Sequence, residues 1–266
     1  MKKTSILITG ANGFVGRALS NKLSRQDYEV RAAVRSINNC LANVEQVKIG
    51  SIGSATDWTA ALRNVQAVVH LAARVHVMKD SAANPLDEFR EVNVAGTKRL
   101  AQEAAKAGVK RFVYISSIKV NGEQTLQGKP FTEDVTTIPK DNYGLSKYEA
   151  EKELLHISKD TGMEVVIIRP PLVYGEGVKA NFASMLRAVR NRTPLPFGSI
   201  KNLRSFIYVG NLISFIIKCI EHPKAANQTF LVSDNCDLST TELLQGCAEA
   251  LEVNARLLPC LLYTSD

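Results

Sequence analysis

A tyrosine and a lysine four residues apart, in the run Tyr143-Gly144-Leu145-Ser146-Lys147, are the side chains best spaced to do chemistry together. On a helix, positions i and i+4 share one face. A free tyrosine has a pKa of about 10, too high for a base at neutral pH. An ammonium close by, joined by the positive charge of an oxidised nicotinamide, would stabilise the phenolate and let it accept a proton. Lys147 can also bond the ribose hydroxyls of such a cofactor. The plainer reading of this pair is a coincidence on a solvated helix, so its setting has to decide.

The setting is a glycine-rich turn. Ser5-Ile6-Leu7-Ile8-Thr9 is a short apolar run that breaks at Gly10-Ala11-Asn12-Gly13-Phe14-Val15-Gly16, and a helical pattern begins at Phe14. Such a turn brings backbone N–H groups to a pyrophosphate at a helix N-terminus, where the dipole also favours the anion. Gly10 makes the tight turn, Gly13 keeps side chains out of the phosphate's way, and Gly16 lets helix and strand pack closely. The spacing is G-x-x-G-x-x-G. An ordinary β-α turn is the plainer alternative, but the position directly after the first strand favours a nucleotide.

An acid usually stands about 20 residues beyond such glycines, at the end of the second strand, when the cofactor is NAD. Here that place reads Val34-Arg35-Ser36, while Asp27 and Glu29 lie at the strand's other end. Arg35 can pair with a 2′-phosphate and stack on adenine, and Ser36 adds a hydroxyl donor. The expected cofactor is therefore NADP(H), with NAD(H) possible. The alternative is an arginine that is only solvent-exposed.

The elements that must position these residues follow from periodicity. Strands are expected at Tyr28–Val34, Glu45–Ile49, Gln66–Leu71, Arg111–Ser116 and Glu164–Arg169. Helices are expected from Phe14 to near Gln26, over Thr56–Leu62, over Asn84–Ala107 with Gly108 as its stop, and over Asn142–Thr161 with Gly162 closing it. This alternation implies an α/β fold, a Rossmann-like doubly wound parallel sheet with its ligand outside the strands' carboxyl ends. Beyond Pro170-Pro171 the rhythm breaks, with helical stretches near 180–191, 208–221 and 240–251 and short strands at Ser205 and Thr229. The expected division is a Rossmann domain over 1–170, carrying the chemistry, and a smaller C-terminal substrate-binding lobe over 171–266.

Composition bounds the rest. The 266 residues are 45% hydrophobic, enough for a substantial core, and the net charge of +7 is not gathered into a tract that would suggest nucleic acid. The longest late apolar run, Leu212 to Ile220, contains Lys218 and cannot span a bilayer. Five cysteines, odd in number and without a C-x-x-C pair, read as reduced thiols in a cytoplasm, and no metal site is expected.

From Lys3 to about Leu251 the chain resembles the extended short-chain dehydrogenases/reductases, in the branch of nucleotide-sugar 4-epimerases and 4-ketoreductases. The resemblance rests on the glycine motif, His70-Leu71-Ala72-Ala73, Asn93, Ser116-Ser117, Tyr143/Lys147, Arg169-Pro170 and Arg204-Ser205-Phe206-Ile207-Tyr208-Val209. The run Ser116 to Glu123 is particularly similar to bacterial surface-polysaccharide enzymes, either UDP-sugar 4-epimerases or 4-ketoreductases that form UDP-N-acetylquinovosamine. The resemblance implies that Tyr143 is the acid/base, that Lys147 holds the ribose and lowers the tyrosine pKa, and that Ser117 bonds the substrate oxygen. Ser116 is then a strand-end cap. Cofactor contacts are implied for Gly10, Asn12, Gly13, Phe14, Val15, Gly16, Ser51, Ile52, Leu71, Ala72, Ala73 and Pro170. Asn93 is implied to order the neighbouring strand or a water. Lys119, Asn181 and Arg204 are implied at the sugar nucleotide, with Arg204 suited to a diphosphate by its bidentate guanidinium. His76 is a further candidate for the sugar pocket. An N-cap role for Asn181, and solvated side chains at His76 and Lys119, are the plainer alternatives.

The chain departs from the family in three places. Ser51 stands where an acid often meets the adenine, and Leu172 replaces a common asparagine. The closing residues Cys260 to Asp266 do not match the family's continuation, so a truncated or non-native end is expected. The activity implied is hydride transfer at C4 of a UDP-hexose, leaning to a 4-keto reductase because of Arg35. The alternative is a UDP-glucose or UDP-GlcNAc 4-epimerase. A reductase of a non-sugar ketone such as a flavonoid or steroid, and a non-catalytic cofactor-binding sensor, are further readings. A homodimer through the helices at 84–107 and 142–161 is possible.

Overall fold

The computed structural model describes residues 3–37, 41, 44–75, 84–126, 128–178 and 180–259, with the side chains of Ala180 and Asn181 outside that set. His76, Cys40 and Cys260 lie outside the described residues.

Seven strands form one parallel sheet: β1 (Thr4–Thr9), β2 (Tyr28–Val34), β3 (Glu45–Lys48), β4 (Ala67–His70), β5 (Arg111–Ile115), β6 (Glu164–Arg169) and β9 (Thr229–Leu231). Their spatial order is β3-β2-β1-β4-β5-β6-β9. The strand order reverses between β1 and β4, which opens the crevice where doubly wound sheets take their ligands. Helices α1 (Phe14–Leu23), α2 (Pro85–Phe89), α3 (Gly96–Lys106) and α4 (Asn142–Thr161) connect these strands. Central strands buried on both faces read as continuous apolar runs, as Ile6-Leu7-Ile8 and Val165–Ile168 do. A core cluster including Leu7, Trp58, Leu100, Phe112, Tyr114, Leu154 and Ile167 lies on one side of the sheet.

Chain contacts divide the protein into two compact units, Met1–Pro170 with Leu212–Val232, and Pro171–Asn211 with Ser233–Asp266. The second unit holds the two-stranded parallel sheet of β7 (Leu172–Tyr174) and β8 (Phe206–Tyr208), with α5 (Ala180–Arg190) and α7 (Thr240–Ala250). Helix α6 (Val209–Glu221) runs from the second unit into the first.

Two expectations are corrected here. The C-terminal part is not one contiguous lobe over 171–266: β9 pairs with β6 through Ile167–Thr229, Ile168–Phe230 and Arg169–Leu231, as the seventh strand of the main sheet. Thr56–Leu62 is not a helix: residues 56–58 have no regular structure and 59–62 are turns. The Asp57 carboxylate accepts the Thr59 N–H at 2.9 Å, a local bond that competes with helix formation. Trp58, Ala61 and Leu62 are buried all the same. Among the described residues no helix is long and apolar enough to cross a membrane.

Candidate active site

The glycine turn forms the first wall. Gly10 has φ +69°, and its carbonyl accepts the Gly13 N–H at 2.9 Å. A Cβ at Gly10 would lie 2.8 Å from the Ala72 nitrogen, and one at Gly16 would lie 2.1 Å from the Gly10 oxygen. Both glycines are therefore demanded by close approach, of the loop after β4 and of α1 respectively. Gly13 is exposed and is the N-cap of α1, with no side chain bonding the helix's first N–H groups. The adjacent Asn12 has its Oδ1 buried without a hydrogen-bond partner. An anion-accepting helix end and an unanswered buried oxygen fit the diphosphate and ribose of a dinucleotide. Phe14 and Val15 begin α1, half-buried.

Arg35 and Ser36 are both exposed directly after β2, and Ser51 and Ile52 follow β3. On the other side, Leu71, Ala72 and Ala73 are half-buried after β4. Their loop is held by buried side chains. The Ala72 N–H donates to Thr9 Oγ1 at 3.2 Å, and that oxygen lies 2.6 Å from His70 Nδ1. The opposite nitrogen, Nε2, lies within hydrogen-bond distance of Thr97 Oγ1, at 2.9 Å. His70 is fully buried, and desolvation pushes its pKa down to about 3, so it is neutral.

Asn93 does not lie in a regular helix. Residues Arg90–Ala95 form a π-helical turn between α2 and α3. From it, the buried Asn93 accepts the Arg74 N–H at 2.7 Å and donates to the Arg74 carbonyl at 3.0 Å. Its amide also donates to Ser146 Oγ at 3.0 Å, and Ser146 donates to the Tyr143 carbonyl at 2.9 Å. The loop after β4 is thus tied to the first turn of α4.

That first turn starts at Asp141, whose carboxylate caps α4 by accepting the Gly144 N–H at 3.0 Å. It places Tyr143 near Ser117, whose hydroxyl draws the tyrosine pKa down. Ser117 also accepts the Lys119 N–H at 3.2 Å, capping the short 3-10 turn Ile118–Val120. Ser116 does not serve as the strand-end cap: it is buried, and its hydroxyl has no hydrogen-bond partner. Lys147 is 2% exposed and donates to the Ile115 carbonyl at 2.7 Å, with its ammonium 4.5 Å from the centre of the Tyr114 ring.

The electrostatics differ from the expected lowering of the tyrosine pKa. Burial, and then the Asp141 carboxylate, push Tyr143 up to about 12, and the Ser117 hydrogen bond only partly offsets them. The Lys147 ammonium lies 6.0 Å from the tyrosine ring centre. Its own pKa is pushed down to about 7 by desolvation, against the opposing pull of Glu151. Glu151 is itself buried, and Arg169 donates to its two oxygens at 3.0 and 2.6 Å. Arg169 also donates to Asn121 Oδ1 at 3.1 Å and to the Glu133 carbonyl at 2.8 Å, which anchors the loop between β5 and α4.

The structure therefore brings together Ser117, Tyr143 and Lys147, and places the glycine turn, the loop after β4 and buried Pro170 at the same carboxyl edge of the sheet. The Ile118 N–H donates to the Pro170 carbonyl at 3.0 Å. The Lys119 ammonium, partly exposed, lies 3.5 Å from Asp141. Arg204 belongs to the second unit, exposed, with its backbone paired to Leu238. Asn181 is the second residue of α5. Sequence reasoning assigned no role to His70, Glu151 or Glu91. Glu151 had a signal, its position one helical turn beyond Lys147. His70 stood in a matched motif, whereas nothing in the sequence marks Glu91. Among the described residues no cluster of His, Cys, Asp and Glu could hold a metal ion.

Comparison with known proteins places this geometry. The chain is 53% identical over 257 residues to a UDP-glucose 4-epimerase of Vibrio cholerae, covering 96% of this chain and 78% of that protein. It is 32% identical to a 3-beta-hydroxysteroid dehydrogenase of Mycolicibacterium neoaurum, covering 89% of this chain and 67% of that one. The structure of MoeE5 in complex with UDP-glucuronic acid and NAD superimposes with a TM-score of 0.82 at 25% identity, covering 96% of this chain and 85% of that chain. The NAD dependent epimerase/dehydratase family matches residues 6–233. With its doubly wound sheet and its Ser117–Tyr143–Lys147 set, the chain is an enzyme of the short-chain dehydrogenase/reductase type and belongs to the NAD dependent epimerase/dehydratase family.

Proposed function

We propose that this chain is an NAD-dependent UDP-hexose 4-epimerase. The observation that carries the reading is its 53% identity, over 96% of its length, to a UDP-glucose 4-epimerase. The assembled Ser117, Tyr143 and Lys147 supply the groups such a reaction needs. The 4-keto reductase to which Arg35 tilts the sequence finds no support among these relatives, and the epimerase alternative is preferred. NAD is named in the MoeE5 complex.

The nicotinamide cofactor would supply one thing, a hydride acceptor at C4 that can return what it takes. The chain's own residues do the rest. The turn Gly10–Gly16 binds the diphosphate through backbone N–H groups, with Asn12, Phe14 and Val15 around it. Arg35, Ser36, Ser51 and Ile52 frame the adenosine, while Leu71, Ala72, Ala73 and Pro170 leave room for the nicotinamide ribose. Tyr143 removes and restores the C4 hydroxyl proton, and Ser117 orients both the hydroxyl and the tyrosine. A tyrosine pushed up to about 12 is a proton donor as it stands. The positive charge of an oxidised nicotinamide, and Lys147 drawn to the ribose, would favour the phenolate in the oxidising half. Arg204 is assigned the substrate's diphosphate on the resemblance, and so is Asn181.

The test is incubation of the purified chain with UDP-glucose and with UDP-GlcNAc, without added reduced cofactor. Appearance of the C4 epimer by proton NMR is the expected result. Turnover only with a 4-keto-6-deoxy UDP-sugar and stoichiometric NADPH would replace the epimerase by the reductase. The steroid dehydrogenase relative makes a 3-beta-hydroxysteroid the third arm. Arg35 makes NADP(H) the competing cofactor. Arg35→Ala should weaken NADPH binding while leaving NADH unchanged, measured by fluorescence titration.

A further inference from the structure

The helical segment between β4 and β5 changes register in its middle, where Arg90–Ala95 forms a π turn between α2 and α3. A π turn inserts an extra residue into the helix and re-aims the side chains around it, and such turns concentrate at functional sites. Glu91 and Asn93 both lie in this one. They reach in different directions.

Glu91 reaches the loop after β3. Its Oε1 accepts the Ser54 N–H at 2.7 Å and the Ser54 hydroxyl at 2.9 Å. The rest of that loop is closed on itself, with Thr56 Oγ1 donating to the Ser51 carbonyl at 3.0 Å and accepting the Gly53 N–H at 2.9 Å. The fit against the helix is tight. A Cβ at Gly53 would lie 2.4 Å from Glu91 Oε1, and one at Gly96 would lie 2.5 Å from Ile52 Cγ2. Asn93, two residues on, holds the Arg74 backbone by both its N–H and its carbonyl. One turn of helix thus grips the loops at the carboxyl ends of both β3 and β4.

In a doubly wound sheet a dinucleotide lies across those ends, with its pyrophosphate at the glycine turn after β1 and its adenosine ribose at the end of β2. The adenine then falls toward β3, onto the loop that Glu91 fixes. We propose that Glu91, aimed by the π turn, is a positioning residue for the adenosine half of the cofactor site, acting through the Ser51–Thr56 loop. The inference rests on the cofactor reading given above. Glu91 bonds Ser54, not the glycine turn or α4, so its loss should fall on adenosine recognition and leave the nicotinamide end intact.

The test uses the full chain, freed of bound nucleotide, titrated calorimetrically with NAD, AMP and nicotinamide mononucleotide. Glu91→Ala should weaken NAD and AMP roughly tenfold, the scale of one lost charged hydrogen bond. Nicotinamide mononucleotide should bind as in the wild type, and in turnover the loss should fall in KM for NAD. Glu91→Gln, which keeps an acceptor oxygen, should recover most of it. Gly53→Ala attacks the same contact from the loop and serves if Glu91→Ala does not fold. Unchanged AMP binding in the folded variants would overturn the proposal, as would equal losses for AMP and nicotinamide mononucleotide. Either of these results with a wild type that binds NAD isolates the fault to this inference, whereas a wild type that binds no nucleotide sinks the cofactor reading as well.

Discussion

At Tyr143, burial and the Asp141 carboxylate hold the proton on, while the Ser117 hydroxyl pulls the other way. The net direction is toward the protonated phenol, because desolvation of a phenolate outweighs a single hydrogen bond. Tyr143→Phe keeps the ring and its edge contact with Phe89, so the fold should persist. Turnover should fall by about 10²–10⁴, the usual worth of a positioned acid/base, with cofactor affinity little changed. Steady-state rates and cofactor titration on the same preparation check this, and wild-type turnover would remove Tyr143 from the mechanism. Arg204 makes a separate claim. If it bonds a substrate phosphate, Arg204→Ala should cost about 1.5–3 kcal/mol, read as a raised KM for a UDP-sugar with kcat largely kept. An unchanged KM would turn attention to the steroid-like alternative.

Helix α4 and strand β6 are joined by the Glu151–Arg169 pair, whose side chains are 4% and 5% exposed. Two charges so far from water are held only because each satisfies the other and Arg169 also meets Asn121 and the Glu133 carbonyl. Removing one partner leaves the other buried and uncompensated. Arg169→Met should therefore destabilise the fold by about 3–5 kcal/mol, and pairing it with Glu151→Leu should recover much of that. Urea unfolding of the single and double variants is the measurement. A single variant within 1 kcal/mol (about the worth of an exposed pair) would mean that the site admits water. The same elements explain why the loop before α4 keeps its shape, since Asn121 donates to the Thr132 carbonyl at 2.7 Å as well as accepting from Arg169.

For the molecule as a whole, the buried neutral His70 sets a limit in acid. Its pKa is lowered from 6.5 to about 3 in the folded chain. Between these values the unfolded chain binds a proton that the folded chain refuses, so folding stability falls as pH falls through that window. The limit of this contribution is on the order of 5 kcal/mol. Lys147, lowered from 10.5 to about 7, has the same sign at higher pH: stability gains as pH rises through that interval. His70→Gln should flatten the acid limb in thermal melts between pH 6.5 and pH 3. An acid limb of unchanged slope would place the liability in the carboxylates instead.

The sequence by itself determined the alternation of strands and helices, the glycine turn, and the pairing of Tyr143 with Lys147 on one face of α4. Each is written within a few neighbouring residues, as a period, a turn residue or a cap. Asp141 and Gly162, the latter with φ +74°, bound α4 through local chemistry alone. Only the tertiary structure decided matters whose partners lie far apart in the chain. Thr229–Leu231 became a strand of the main sheet because β6 offered it an edge, 62 residues away at Ile167 and Thr229. The irregular stretch at 56–62 replaced a helix although the apolar spacing suits one, because local bonds and the burial of Trp58 outweigh a short stretch's propensity. Glu91, His70 and Glu151 gained their roles from residues brought to them by folding, and the sign of the Tyr143 shift depends on burial. Burial is a property of the packed molecule, and no spacing within the chain encodes it.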